Sequence, residues 1–187
     1  MLSSAPSLPT VPLKRLLVAV TLCCALLVGT TACGSDDKDA AATPSPTTSA
    51  EKQKFAKTRF VANAGLAAGA AYQWIIKPAR AGKFKQGADG RKFAMVKAGL
   101  AGAFTYNRLK AAAKNAEGDP LLAKAVAPLA AGIESLKDLP SKLRKGEGAD
   151  DAAGVFDSVI NSVKGAGKDA GAPVVEKVPS VSQLNGG

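Results

Sequence analysis

The stretch DPLLAKAVAPLAAGIESL, residues 119–136, carries the clearest hydrophobic period in this chain of 187 residues. Its large apolar side chains recur at alternating spacings of four and three residues: Leu122, Val126, Leu129, Ile133 and Leu136. That spacing places them on one face of an α-helix. Asp119 and Pro120 stand where helices favour an N-cap residue and a proline at the first position. Pro128 falls inside the stripe, so we expect a kink or break near residues 124–127.

Three further helices are predicted on either side of this stripe. The first runs from about residue 51 to 76 and ends before Pro78, the second from about 91 to 116, and the fourth from about 150 to 164. Leu139 and Leu143 extend the central stripe past Pro140. With aromatic residues at only 5%, the composition favours helices that pack through small side chains. The predicted fold class is all-α, a small antiparallel bundle of about four helices joined by short loops.

The first two predicted helices share a pattern. The sequence AGLA at 64–67, followed by Tyr72, recurs as AGLA at 98–101, followed by Tyr106. Small residues three or four apart let helices approach closely, so we expect an αα-hairpin packed along its glycine-containing faces. Chance similarity in an alanine-rich chain is the alternative. Residues 60–76 also lack formal charge, so a second membrane span is an alternative interpretation of this segment. A buried helix of a soluble bundle accounts better for the polar residues Asn63 and Gln73 within it.

The amino terminus has the features of an export signal. Lys14 and Arg15 precede an uncharged, mostly apolar run at 16–29, which is short for a membrane span. The sequence TTACGS at 30–35 resembles the lipobox of bacterial lipoproteins, which implies cleavage after residue 32 and lipidation of Cys33. An uncleaved anchor helix, or an ordinary secretory signal with Cys33 incidental, are the alternatives.

The remaining chain divides into three predicted parts. Residues 34–50 are rich in Asp, Ala, Thr, Ser and Pro without apolar periodicity, which is typical of a flexible tether about 20 to 25 Å in mean span. Residues 51–165 form the predicted helical domain. From residue 166 to 187 periodicity is lost, and we expect a flexible C-terminal tail.

Positive charge is concentrated in the first half of the domain. Between residues 52 and 114 there are 14 basic residues against Asp89 alone, a net charge of +13. Such a distribution favours an anionic partner, which next to a membrane means phospholipid headgroups or anionic cell-wall polymers. The predicted binding residues surround the first connection: Lys77, Arg80, Lys83, Lys85, Arg91 and Lys92. A merely solvated face is the alternative, and nucleic acid is not expected because stacking aromatics do not alternate with the basic residues.

Three aromatic residues offer a second kind of site. Tyr72, Trp74 and Tyr106 could line a ligand groove between the first two helices, with ordinary packing as the alternative. This motivates a second hypothesis, a small-ligand carrier with an interhelical pocket.

Residues that carry enzyme chemistry are scarce. Histidine is absent, and once the signal segment is removed Cys33 is the last cysteine. The commonest general base and metal ligand are therefore missing, and no pair of the remaining polar residues stands in a recognisable catalytic arrangement. We predict a protein without catalytic residues, metal site or cofactor.

The segment from residue 60 to 110 resembles a known group of sequences. Its motifs FVANAGLAAGA, IIKP, AGKFKQGADG and FTY resemble those of uncharacterised lipoproteins or secreted proteins of high-GC Gram-positive bacteria. The resemblance implies export and a helical domain, and it implies no catalytic residue because the group has no assigned activity. Taken together, the sequence predicts a non-enzymatic lipoprotein on the outer face of the cytoplasmic membrane, whose basic helical domain binds an anionic surface or a protein partner.

Overall fold

The computed structural model describes residues 48–185, and no strand occurs in that range. The predicted all-α helical bundle is confirmed. The predicted signal peptide at 1–32, the lipidation of Cys33 and the tether from 34 to 47 lie outside the described residues.

Helix α1, Ser49–Ala71, begins two residues before the predicted start. Its N-cap is Thr48, whose hydroxyl accepts a hydrogen bond from the Glu51 backbone N–H, while the Glu51 carboxylate accepts one from the Thr48 N–H. This reciprocal capping box satisfies two backbone donors that would otherwise lack partners. The helical domain therefore includes residues that the sequence analysis assigned to the tether.

The first helix does not end before Pro78, and that prediction is wrong. A π-helical turn, Tyr72–Ile76, follows α1 and leads into α2, Lys77–Arg80. Within it the Lys77 N–H donates to the Tyr72 carbonyl, five residues back, instead of four. Proline lacks an N–H and crowds the carbonyl four residues before it. The wider turn changes the bonding register just before Pro78, so the helical path continues.

Helix α3, Arg91–Ala116, has the predicted bounds and runs antiparallel to α1. The Thr105 hydroxyl donates to the Ala67 carbonyl across the interface, and the Arg108 guanidinium donates to Asn63, both at 3.4 Å. Residue numbers rise on one helix as they fall on the other. The predicted αα-hairpin is therefore present, and α1 with α3 forms the most extensive helix contact in the described chain.

The central stripe folds into several short helices. These are α4, Pro120–Val126, a 3₁₀ turn, Ala127–Leu129, α5, Ala130–Ser135, and α6, Leu139–Lys145. Asp119 caps α4 by accepting the Leu122 N–H at 2.9 Å, and the helix changes to the 3₁₀ turn at Ala127, just before Pro128, so both predictions are confirmed. The stripe residues are buried except Leu129, which is half-buried, and Leu143 continues the buried face.

The last long helix, α7, Ala149–Asp169, passes the predicted end at 164. A loop at 170–180 and the short helix α8, Val181–Leu184, follow it. Ala172, Val174 and Leu184 are buried, and the Lys177 N–H donates to the Gly65 carbonyl at 2.9 Å. The prediction of a flexible tail from residue 166 is therefore wrong for the described residues up to 185. Its apolar side chains are too irregularly spaced to show a period, although they do pack.

The glycine faces of the hairpin also differ from the prediction. A Cβ added to Gly65 would lie 2.5 Å from the Val175 carbonyl, and one added to Gly69 would overlap the Lys177 carbonyl. The GxxxG of α1 therefore receives the C-terminal loop and not α3. On α3, Gly99 and Gly102 leave space for side chains of α6 and α7. The two helices instead approach through alanines, which are buried on both.

The core runs from Phe60 to Leu184, so residues 48–185 supply a contiguous core of their own. Phe60, Phe104 and Phe156 are its largest fully buried side chains, and most of the other positions are alanine, leucine, isoleucine or valine. These three rings fill the space that the small residues leave between helices.

Candidate functional site

The end of the αα-hairpin brings three backbone features together. The π-helical turn lies at the end of α1, residues 81–90 connect the helices, and Gly90 caps α3 with φ at +69°. Only glycine adopts that conformation without strain, so the chain can turn directly into α3. π-helical turns inside helices occur frequently at functional sites. This turn carries Trp74, so the hairpin end is a candidate site.

A groove of about 410 Å³ lies at this end, and we call it the aromatic groove. Its wall includes Trp74 from the π-helical turn, Phe93 from the first turn of α3, and the charged residues Lys77, Lys83, Lys97 and Asp89. Small-molecule sites in proteins commonly enclose about 300 to 1,000 Å³. The aromatic groove therefore has the volume and the apolar lining of such a site.

Lys97 is held by the two aromatic rings. Its Nζ lies 4.2 Å from the centroid of Phe93 and 4.9 Å from that of Trp74. A cation at these distances is attracted to the ring faces. The Trp74 Nε1–H is buried and has no hydrogen-bond partner among the described residues. A buried indole N–H usually donates to an acceptor, so an indole N–H without an acceptor is unusual.

The other lysines at the groove are not neutralised by neighbours. Within residues 48–185 no ion pair involves Lys77, Lys83 or Lys97. Asp89 contributes the acidic charge on the described wall. The groove therefore presents an excess of positive charge.

Apolar surface beside the groove is exposed. Phe93 is 65% exposed and Val96, one turn further along α3, is 49% exposed. Lys92 is exposed next to Phe93. We call the set Trp74, Lys77, Lys83, Lys92, Phe93, Val96 and Lys97 the hairpin-end surface. It combines exposed apolar side chains with four lysines.

The structure divides the six basic residues predicted as a binding surface. Lys77, Lys83 and Lys92 belong to the hairpin-end surface. Arg80 forms an ion pair with Asp157 of α7 at 2.8 Å, and Lys85 lines a separate cavity with it. The Arg91 Nε–H donates to the Phe84 carbonyl at 2.7 Å and so fixes the connection before α3. Three of the six positions are therefore available to a partner on this face.

The three aromatic residues predicted to share a groove do not meet. Trp74 lies in the aromatic groove, and Tyr72 is exposed outside it. Tyr106 lies nine residues beyond Lys97 on α3, about 13 Å along the helix. The sequence reasoning missed Phe93 and Lys97. Their spacing of four residues on a predicted helix was the available signal, but it does not reveal which aromatic side chain is exposed.

Tyr106 belongs to a different cluster. Its hydroxyl donates to the Glu134 carboxylate at 2.9 Å, and Lys110 Nζ lies 3.2 Å from the other oxygen. The Tyr106 hydrogen bond and Lys110 lower the pKa of Glu134, and Glu134 together with Tyr106 raises the pKa of Lys110. Since these groups are solvent-exposed, the cluster links α3 to α5 as a surface contact.

No group of three or more Cys, Asp or Glu side chains between 48 and 185 stands close enough to hold a metal ion. None of the helices in that range is long and apolar enough to cross a membrane.

Comparison with known proteins adds no relative to this picture. The chain matches no protein-family model, no curated protein and no solved structure.

Proposed function

We propose that this chain is an exported lipoprotein, anchored through Cys33, whose helical domain docks on an anionic membrane surface without catalysing a reaction. One observation carries the docking proposal: Phe93 and Val96 are exposed among four lysines on the hairpin-end surface. Aromatic and aliphatic side chains flanked by lysines are the combination that binds the interface of anionic bilayers.

Electrostatics supplies the first part of the affinity. A Lys or Arg close to an anionic leaflet contributes about 1 kcal/mol, and the effect falls off within a Debye length of about 8 Å at physiological salt. The exposed ammonium groups of Lys77, Lys83 and Lys92 lie on one end of the hairpin. None of the three forms an ion pair within residues 48–185, so approaching headgroups replace no ion pair of the described chain.

The apolar side chains supply the second part. Burying apolar surface contributes about 25 cal/mol per Å², so moving an exposed phenylalanine into the interface is favourable. Phe93 and Val96 lie one helical turn apart and can enter the same depth of the headgroup region.

The predicted anchor constrains the orientation. From Ser49 to Arg80 the helical path has 32 residues, about 48 Å, which exceeds the mean span predicted for the tether. Docking of the far end therefore requires the hairpin to tilt, with the start of α1 held off the bilayer but within the span of the tether. Lipid attachment then keeps the hairpin-end surface at high local concentration next to the headgroups.

Vesicle co-sedimentation tests the docking. The chain from Gly34 onward should bind phosphatidylglycerol vesicles, bind phosphatidylcholine vesicles weakly, and lose affinity as salt is raised. Replacing Lys83 and Lys92 by Ala should weaken binding at least tenfold, at about 1 kcal/mol per lysine. The control Lys124→Ala with Lys137→Ala removes the same charge from α4 and the turn after α5. Equal loss in both variants, or equal binding to both vesicles, would contradict the proposal.

The anchor is tested separately by mass spectrometry of the protein extracted from its native membranes. An amino-terminal, acylated Cys33 is expected. A product that keeps residues 1–32, or that carries an unmodified Cys33, would contradict the lipoprotein assignment.

A further inference from the structure

The aromatic groove has two chemically different parts. Trp74 and Phe93 provide flat apolar surface, while the exposed lysines Lys77 and Lys83 also line the groove. The Lys97 ammonium lies over both rings, 4.2 Å from the Phe93 centroid and 4.9 Å from the Trp74 centroid. A ligand that satisfies both parts has an anionic group and an apolar body.

We propose that the aromatic groove binds one single-chain phosphate amphiphile, with its phosphate at Lys77 and Lys83 and its aliphatic chain against Trp74 and Phe93. This inference rests on the proposed docking and deepens it, because it assigns a defined lipid site within the hairpin-end surface.

The charge of the groove favours a phosphate monoester. Lys77, Lys83 and Lys97 with Asp89 give the wall a net charge of +2. A phosphate monoester carries about −1.5 to −2 at neutral pH and offers several strong acceptor oxygens. Lysine ammonium groups bind phosphate as mobile point charges, so they can follow a headgroup in an open groove. A carboxylate, with a single negative charge, would leave part of this positive charge unmatched.

The shape of the apolar surface favours a ligand with an aliphatic chain over one with a compact ring. It continues out of the groove along α3, where Phe93, Val96 and Leu100 follow one another at spacings of three and four residues. This strip extends about 10 Å along the helix. An aliphatic chain can leave the groove and lie along the strip, whereas an aromatic phosphate would cover only Trp74 and Phe93.

Trp74 provides the measurement, because it is the only tryptophan of the chain. The chain from Gly34 onward, which contains the whole described core, is titrated with dodecyl phosphate below the concentration at which micelles form. We expect a saturable blue shift of Trp74 emission, with one molecule bound per chain by calorimetry. Inorganic phosphate and uncharged dodecyl maltoside should each bind at least tenfold more weakly, because each lacks one of the two parts.

Matched variants locate the site. Phe93→Ser and Lys83→Ala should each raise the Kd for dodecyl phosphate at least fivefold. Phe55→Ser and Lys124→Ala, which change exposed residues outside the aromatic groove, should leave it within twofold. Equal affinity for dodecyl phosphate and dodecyl maltoside, or for dodecyl phosphate and phenyl phosphate, would overturn the inference, as would an unchanged Kd in Phe93→Ser.

The result is separable from that of the docking experiment. Salt-sensitive binding to phosphatidylglycerol vesicles without binding of dodecyl phosphate would leave the docking intact and reject the lipid site. Binding of dodecyl phosphate without binding to vesicles would support the site and reject the docking on a bilayer.

Discussion

Phe156 shows how a core built largely from alanine depends on a few large side chains. It is fully buried on α7, and a Cβ added to Gly102 of α3 would lie 3.2 Å from its Cζ. Phe156→Ala should lower the free energy of unfolding by about 3 to 5 kcal/mol, since Gly102 beside the ring has no side chain that could fill the cavity. Urea denaturation followed by helical circular dichroism measures this. Val155→Ala removes the adjacent, 37% exposed side chain and should change stability by less than about 0.5 kcal/mol.

Glu134 makes the stability dependent on pH in a defined direction. Its pKa is lowered by the Tyr106 hydrogen bond and by Lys110, so its contribution is present above the ordinary carboxyl pKa and is lost as the pH falls through the lowered pKa. The pKa of Lys110 is raised, so its contribution is present below its ordinary value of 10.5 and is lost as the pH rises through the raised pKa.

Glu134→Gln should therefore lower the melting temperature at neutral pH and leave it unchanged in acid. The effect should be small and should shrink with added salt, because the groups are exposed. Thermal denaturation of the wild-type protein and of Glu134→Gln, from neutral pH through the acid range, measures this difference in melting temperature. An equal melting-temperature difference at neutral and acid pH would show that the carboxylate charge is not involved.

At the level of elements, the GxxxG of α1 is the clearest departure from expectation. Gly65 and Gly69 receive the C-terminal loop, and the Lys177 N–H donates to the Gly65 carbonyl. Gly69→Ala would place a Cβ inside the Lys177 carbonyl, which is backbone and cannot rotate away. We expect the loop to be displaced, so the Lys177 amide should exchange with solvent at least tenfold faster, as measured by hydrogen exchange.

Two glycines of α7 provide the control. Gly154 and Gly165 have open space where a Cβ would be placed. Alanine at either position should leave Lys177 protected, and it should stabilise α7 by up to about 1 kcal/mol because glycine is a poorer helix former. Slow exchange of Lys177 in Gly69→Ala would mean that the loop adapts to the added methyl group.

The elements also show how far the sequence predicts the fold. Regular apolar spacing predicted α3 and α4, and Asp119 with Pro120 predicted where α4 begins, since both signals are local. Pro78 led to a wrong prediction of where the first helix ends. A π-helical turn before it relieves the clash between the proline ring and the carbonyl four residues back, and whether such a turn forms depends on packing. The C-terminal loop and the aromatic groove were not predictable, because they arise from contacts between distant segments. Cys33 and the preceding signal remain predictions from sequence.

For the whole molecule, the arrangement of the hairpin predicts which end meets the membrane. Phe93 and Leu121 are similarly exposed, at 65% and 63%, but they lie at opposite ends. The placement of Leu121 follows from Gly118, where an added Cβ would lie 2.9 Å from Ala56 near the start of α1. Docking through the hairpin-end surface should therefore bury position 93 and leave position 121 in water.

Single-cysteine labelling distinguishes the two ends, because the chain from Gly34 onward has no cysteine of its own. An environment-sensitive fluorophore at Phe93→Cys should shift to the blue when phosphatidylglycerol vesicles are added, whereas the same label at Leu121→Cys should not. The shift should disappear in high salt, since apolar contact alone is too small to hold the domain when the lysines are screened. A shift at position 121 without one at 93 would place the opposite end at the bilayer and contradict docking through the hairpin-end surface.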